Sequence, residues 1–212
     1  YGINANYQLG DAMNTVVEAY LFGMNTGEGA AGSGGVTNKI WTPGLRASTN
    51  PVKGLNVQGE IALQRGTTAG TTTQKRDGMA LQAMASYALP VAELEKYKPV
   101  VSGSYTYVSG DKSASGSPDN NHKNSAWNPM FENQGGGTIY NSIFNLSNLQ
   151  ILNATVSASP IADVTTSLSW NGLWAAQKLT AGTQAGIATT SLVQPDGSSF
   201  SPQVTSNKAL GS

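Results

Sequence analysis

Apolar and polar residues alternate along much of this chain with a period of two. Tyr1, Ile3, Ala5, Tyr7 and Leu9 fall on one side and Gly2, Asn4, Asn6 and Gln8 on the other, the repeat of an extended strand with two different faces. Gly10-Asp11-Ala12-Met13 reads as a turn, after which Val17, Ala19 and Leu21 oppose Glu18 and Tyr20. Residues 26–37 are Gly-rich and aperiodic and read as a loop. A third strand over about 41–49 sets Leu45 and Ala47 against Arg46 and Ser48, and Asn50-Pro51-Val52-Lys53-Gly54 closes it.

The fourth strand has the cleanest pattern: Leu55, Val57, Gly59, Ile61 and Leu63 alternate with Asn56, Gln58, Glu60, Ala62 and Gln64. Residues 67–75 read as a polar loop. The fifth strand sets Met79, Leu81, Ala83, Ala85 and Tyr87 against Gln82, Met84 and Ser86 and stops at Pro90. Residues 91–98 suit a short helical turn. Val101, Gly103, Tyr105 and Tyr107 oppose Ser102, Ser104 and Thr106 on the sixth. A loop over 110–142, about thirty residues, is far longer than an ordinary connector and implies a role of its own. Two more strands follow. Leu152, Ala154, Val156 and Ala158 oppose Asn153, Thr155 and Ser157, with Pro160 at the end; Val164, Leu168, Trp170 and Trp174 oppose Thr165, Ser167, Ser169 and Asn171. Residues 180–207 read as a further loop.

Short and long connections alternate, and the strands are about 9–12 residues long, the span of a tilted strand across a bilayer. The fold class is therefore all-β: an antiparallel up-and-down transmembrane β-barrel, with residues 1–212 holding about eight strands of a single barrel domain. Leu55, Val57, Ile61, Leu63, Leu81, Tyr87, Val156, Leu168 and Trp170 are expected to face lipid. Glu18, Arg46, Gln58, Glu60, Gln82, Asn153 and Asn171 are the candidate pore lining. The long connections, 24–39, 66–76, 110–142 and 180–207, are expected on one side, the extracellular one. Trp127 and Phe131 would be costly to leave in water, so they are the candidate anchors of an inward-folded pore loop.

Composition narrows the chemistry. Charged residues are 11% of the chain, against about 25% in ordinary soluble proteins. Lys+Arg and Asp+Glu are 12 each, so net charge names neither nucleic acid nor an acidic lipid as a partner. Cysteine is absent, which removes disulfides, thiolate catalysis and Cys-ligated metal. No apolar run reaches the length of a spanning helix. The start at Tyr1, with neither initiator Met nor signal peptide, implies a mature or excised segment.

The single histidine, His122, sits in Asp119-Asn120-Asn121-His122-Lys123 and reads as a solvated loop residue. Asp111, Asp119 and Asn121 carry oxygen ligands, but not at the spacing of an EF-hand. Gly27 to Gly35 lacks the Lys-Ser/Thr of a phosphate loop, no Ser stands in a nucleophile elbow, and Glu93 and Glu95 make no motivated acid/base pair. No catalytic residue, metal site or cofactor is expected.

The segment Ser104-Tyr105-Thr106-Tyr107-Val108-Ser109-Gly110-Asp111-Lys112, then Trp127-Asn128-Pro129-Met130-Phe131 before a Gly-rich run, then Ser169-Trp170-Asn171-Gly172-Leu173-Trp174, resembles the alginate-export family of bacterial outer-membrane barrels. The specific part covers 102–178. The resemblance implies a monomeric barrel of about 18 strands, of which this chain holds middle and later ones, with a closing strand beyond Ser212. The family's polyuronate transporter has an electropositive pore. Here the cationic candidates are Arg46, Arg65 and Lys178, with Glu18 and Glu60 on the same inferred face, a departure from that pattern. Two classes follow: a porin-like channel in contact with outer-membrane lipid that passes small polar or saccharide solutes, or a structural β protein that binds or sheathes a partner.

Overall fold

The computed structural model describes residues 1–27, 37–69, 73–111, 123–130, 146–177, 192–193, 199–200 and 209–211. The strands are β1 (Gly2–Gln8), β2 (Val16–Thr26), β3 (Thr37–Val52), β4 (Leu55–Ala69), β5 (Thr73–Ala88), β6 (Val100–Val108), β7 (Lys123–Asn124), β8 (Leu149–Ile161), β9 (Val164–Ala175), β10 (Leu192–Val193), β11 (Ser199–Phe200) and β12 (Ala209–Gly211). One antiparallel sheet runs in the order β1-β2-β3-β4-β5-β6-β8-β9-β12, and β7 pairs with β5 in parallel. A separate two-stranded piece joins β10 to β11. The 3-10 turn Ala92–Tyr97 stands where the short helical turn was expected.

The period-two reading fixes the faces. In β4, and in β5 up to its last residue, the exposed positions are the odd-numbered ones, so that Val57, Ile61, Met79 and Leu81 share one surface. The register carries that surface across the sheet: Leu45, Ile61 and Leu81 are direct neighbours, as are Tyr87, Val101, Val156 and Leu168. Asn56, Gln58, Glu60, Gln82, Asn153 and Asn171 lie on the other face.

The expected loop over 67–75 is corrected. β4 continues to Ala69 and β5 begins at Thr73, so β4 and β5 pair over their whole length. The two strands are 15 and 16 residues long, well past the expected 9–12. Pro160 does not end its strand either, since β8 runs on to Ile161.

Three local features shape the sheet. Lys53-Gly54 makes a two-residue turn with Gly54 at φ 83°, a conformation that glycine adopts without a Cβ penalty. Pro43 stands inside β3, where it pairs with Leu21 on β2, but the β3–β4 ladder is interrupted between Trp41 and Gly44, as a residue without an N–H requires. β6 ends opposite Ala80, leaving the N-terminal part of β5 uncovered on that side, and β7 takes up the vacated edge at Lys75 and Arg76.

The strand ends that flank 27–36, 70–72, 109–148 and 176–208 lie at one end of the sheet; those that flank 9–15, 53–54, 89–99 and 162–163 lie at the other. Among the described residues, no helix is long and apolar enough to cross a membrane, which says nothing of strands.

Candidate functional site

Direct cross-strand pairing places Glu18, Arg46, Glu60, Gln82 and Thr106 in one row across β2, β3, β4, β5 and β6. The next row on the same face holds Ser48, Gln58, Met84, Ser104, Asn153 and Asn171. The seven candidate lining residues thus share one face in two adjacent rows. Sequence periodicity could order each strand by itself; only the register could align them.

The upper row is electrostatically knit. Arg46 Nη1 lies 3.7 Å from Glu18 Oε2, and Arg46 Nη2 donates to Gln58 Oε1 at 2.6 Å. Glu18 also accepts from the Asn4 amide, and Glu60 accepts the Tyr20 hydroxyl. Tyr20 reaches Glu60 from two strands away by lying over Gly44 on the strand between them, and a methyl at 44 would collide with its ring. Gln82 Nε2 donates to Thr106 Oγ1 at 2.9 Å. Two carboxylates therefore flank one guanidinium on a partly exposed surface, where ion pairing orients side chains more than it stabilises the fold.

On β8 and β9 the same face carries no charge. Asn153 Nδ2 donates to Asn171 Oδ1 at 2.8 Å, Thr155 Oγ1 donates to Asn153 Oδ1 at 3.1 Å, and Thr155 and Ser169 share a hydroxyl bond of 2.7 Å. Along these rows the face offers hydrogen bonds and no charge.

A segment from the long β6–β8 connection, 125–130, lies across this face as a strap. The shelf beneath it is the row Ala62, Ala80, Val108 and Leu149, small or apolar residues that leave room for an indole. Trp127 is buried there, packed in one cluster with Ala62, Val108, Leu149 and Leu173. Burial of a side chain of this size contributes on the order of 1.5–3 kcal/mol.

Gln64 holds the strap in register. Fully buried, its side-chain amide donates to Asn128 O at 2.7 Å and accepts from Asn128 N at 2.8 Å, copying a backbone ladder pair. Ser109 secures the root: its backbone O accepts from Trp127 N at 2.9 Å, and its Oγ donates to Ser125 O at 2.7 Å. Thr42 Oγ1 donates to Met130 Sδ at the far end. Gly78 allows the approach, since a Cβ there would stand 3.2 Å from Trp127 Cα.

A cavity of about 640 Å³ opens between strap and sheet, lined by Glu18, Tyr20, Arg46, Glu60, Gln82 and Trp127, among others. Gln58, Asn153 and Asn171 lie on the same face without lining it. Tyr20, Gln64 and Ser109 were missed in the sequence. Gln64 shares the phase of Gln58 and Glu60, but its depth depends on a partner 64 residues away.

Arg65 corrects one candidate. It stands with Leu63 on the opposite, exposed face, where it pairs with Asp77, so it is not a neighbour of Arg46. Phe131, His122, Asp119, Asn121 and Lys178 lie outside the described residues. Among the described residues, no group of three His, Cys, Asp or Glu side chains could hold a metal ion.

No curated protein and no solved structure matches the chain. The family model described as Alginate export matches residues 4–200, well beyond the 102–178 that carry the recognisable motifs. With nearly the whole sheet inside that match, the chain belongs to the alginate-export family, whose members are outer-membrane β-barrels that act as transport channels rather than enzymes.

Proposed function

We propose that this sheet is part of the wall of an outer-membrane channel that passes small polar solutes, saccharides among them, with no bond made or broken in the solute. The carrying observation is the contrast between the two faces. Leu168 is 79% exposed, Ile3 69%, Val156 53% and Leu45 50%, all on one face, while the other holds the Glu18–Arg46–Glu60–Gln82 row. An apolar surface this broad is unfavourable in water and suits hydrocarbon, and the polar face then suits a wet lumen.

In that reading Glu18, Arg46, Gln58, Glu60, Gln82, Asn153 and Asn171 line the pore. The strap narrows it, with Trp127 as anchor. Two carboxylates against one guanidinium favour a neutral or cationic solute over a polyanion along this wall, unlike a strongly electropositive pore. The long connections then lie outside the cell and the short ones in the periplasm. Purified full-length protein in planar bilayers tests the proposal: discrete conductance steps that neutral oligosaccharides reduce are expected. A detergent-independent soluble protein with no conductance would overturn it.

A further inference from the structure

Net charge is zero over the chain, yet the sheet sorts its charges by end. At the end with short connections the described residues carry a small acidic excess: Lys53, Lys96 and Lys98 against Asp11, Glu93, Glu95 and Asp163. At the other end the apolar face closes on a basic rim. Lys39 pairs with Thr67, Thr67 with Lys75, and Lys75 with Lys123, so three lysines occupy one cross-strand row over β3, β4, β5 and β7. One step nearer the middle of the sheet comes the row Trp41, Arg65 and Asp77, and one step further Leu63 and Met79.

Two residues along a strand advance about 6.6–7 Å, so the surface passes from aliphatic to aromatic to cationic within about 14 Å. Trp41, 44% exposed and edge-on to Tyr1 at 5.3 Å, marks the boundary. Lys39, Lys75 and Lys123 are all exposed. Asp77 serves both Arg65, at 2.5 Å, and Lys123, at 3.7 Å. Among the described residues at this end, with Asp111 and Arg76 both counted, five cations meet two carboxylates. Directly paired like charges such as Lys75 and Lys123 repel across a strand pair, and strands about 4.8 Å apart keep the whole row within roughly two Debye lengths. An anion seated over the row would relieve that repulsion.

We infer that the rim formed by Lys39, Arg65, Lys75 and Lys123 binds the phosphate groups of a phosphorylated glycolipid in the outer leaflet, its acyl chains lying along the apolar face below. This rests on the reading of that face as lipid-exposed. The charge complementarity and the position commit the occupant: the cations stand at the edge of the apolar band, where a lipid's phosphate lies and a lumenal solute does not.

Full-length protein in detergent would be titrated with bis-phosphorylated lipid A, with the same lipid stripped of phosphate and with inorganic phosphate, and bound lipid counted by native mass spectrometry. K39Q/K75Q/K123Q is expected to bind the phosphorylated lipid at least tenfold more weakly than wild type, with conductance unchanged. K53Q/K96Q, at the other end, is expected to bind as wild type. Binding of the stripped lipid as tightly as the phosphorylated one would overturn the inference, as would displacement by inorganic phosphate at equal concentration or a triple variant that binds normally. K123Q alone, with heat-modifiable migration as the folding check, keeps the inference testable if the triple variant misfolds; it is expected to weaken binding severalfold, and unchanged binding counts against the rim. Loss of lipid binding with conductance intact separates this inference from the channel proposal, and conductance lost with lipid binding intact refutes only the channel.

Discussion

The polar face of β2–β5 and that of β8–β9 belong to one sheet and follow one alternation, yet their chemistry differs. On β2–β5 the face carries Glu18, Arg46 and Glu60 and lies partly under a strap seated by Gln64. On β8–β9 it carries Asn153, Thr155, Ser169 and Asn171, joined to one another by hydrogen bonds. In the proposed channel, a wall that is charged and narrowed on one side and neutral on the other would sort solutes by charge at the constriction without binding them along its whole length. The difference arises in register: the strap needs an apolar shelf, and Ala62, Ala80 and Val108 provide it directly above the charged row.

Releasing the strap should abolish the contrast and have the largest effect. Gln64→Leu leaves the half-buried Asn128 N–H and C=O without their partner, at no more than about 1–3 kcal/mol for each group. Trp127→Ala removes a buried indole, at about 3–5 kcal/mol. The double variant should show severalfold higher single-channel conductance while the barrel keeps its heat resistance in detergent. Conductance equal to wild type would mean that the strap does not narrow the pore.

Charge comes next. Arg46→Ala leaves Glu18 and Glu60 without the cation between them, so the reversal potential in a salt gradient should move toward cation preference. Asn153→Ala on the neutral side should leave it in place. Equal shifts from the two substitutions would show that β2–β5 has no privileged role.

Much of this division was legible in the sequence. The alternation over 55–64 placed Gln58 and Glu60 opposite Val57 and Ile61, because a strand with two solvents must write its faces at a period of two. The same logic failed over 67–75, where Thr67, Thr68, Thr73, Gln74 and Lys75 offer no apolar contrast and a strand extended beyond the apolar band looks like a loop. Arg65 shares the phase of Leu63, and that parity alone sets it on the apolar face, away from Arg46. A net charge of zero likewise hid the gathering of Lys39, Lys75 and Lys123, which are far apart in the chain and share one row only through pairing. The inward fold of Trp127 was legible as a cost of exposure, but its seat on Ala62 and Val108 was not.

Glycine offers a stability test of the Tyr20 crossing on the charged half. A methyl at Gly44 would collide with the Tyr20 ring that crosses β3 to reach Glu60, so Gly44→Ala should destabilise the protein by about 1–3 kcal/mol. At Gly103, between β5 and β8, the nearest atom to such a methyl is Asn153 O at 3.4 Å, an ordinary contact. Gly103→Ala should stay within about 0.5 kcal/mol of wild type, as in a site without close packing. Unfolding of both variants by denaturant in micelles measures the difference, and equal losses would show that the Tyr20 crossing is not what demands the glycine.

The smallest effect lies at the foot of the charged half, in the β1–β2 turn. Asp11 accepts from the Thr15 hydroxyl at 2.6 Å and from the Thr15 backbone N–H at 2.7 Å, and Thr15 in turn meets Thr49 on β3 at 2.9 Å. Those bonds favour the ionised carboxylate and hold it below its ordinary value of 3.8, with the side-chain bond from Thr15 the leading cause. A depressed folded-state value means that the ionised group favours the fold: the contribution is complete above the unfolded-state value and disappears as pH falls through the folded-state one. Protection of the Thr15 amide from hydrogen exchange, corrected for intrinsic rates, should therefore be constant at neutral pH and decline only below about pH 4, where Asp11 begins to bind a proton. Asp11→Asn should remove that acid dependence and lower protection slightly at pH 7. A decline of the same size and midpoint in Asp11→Asn would assign the acid sensitivity of this turn to another group.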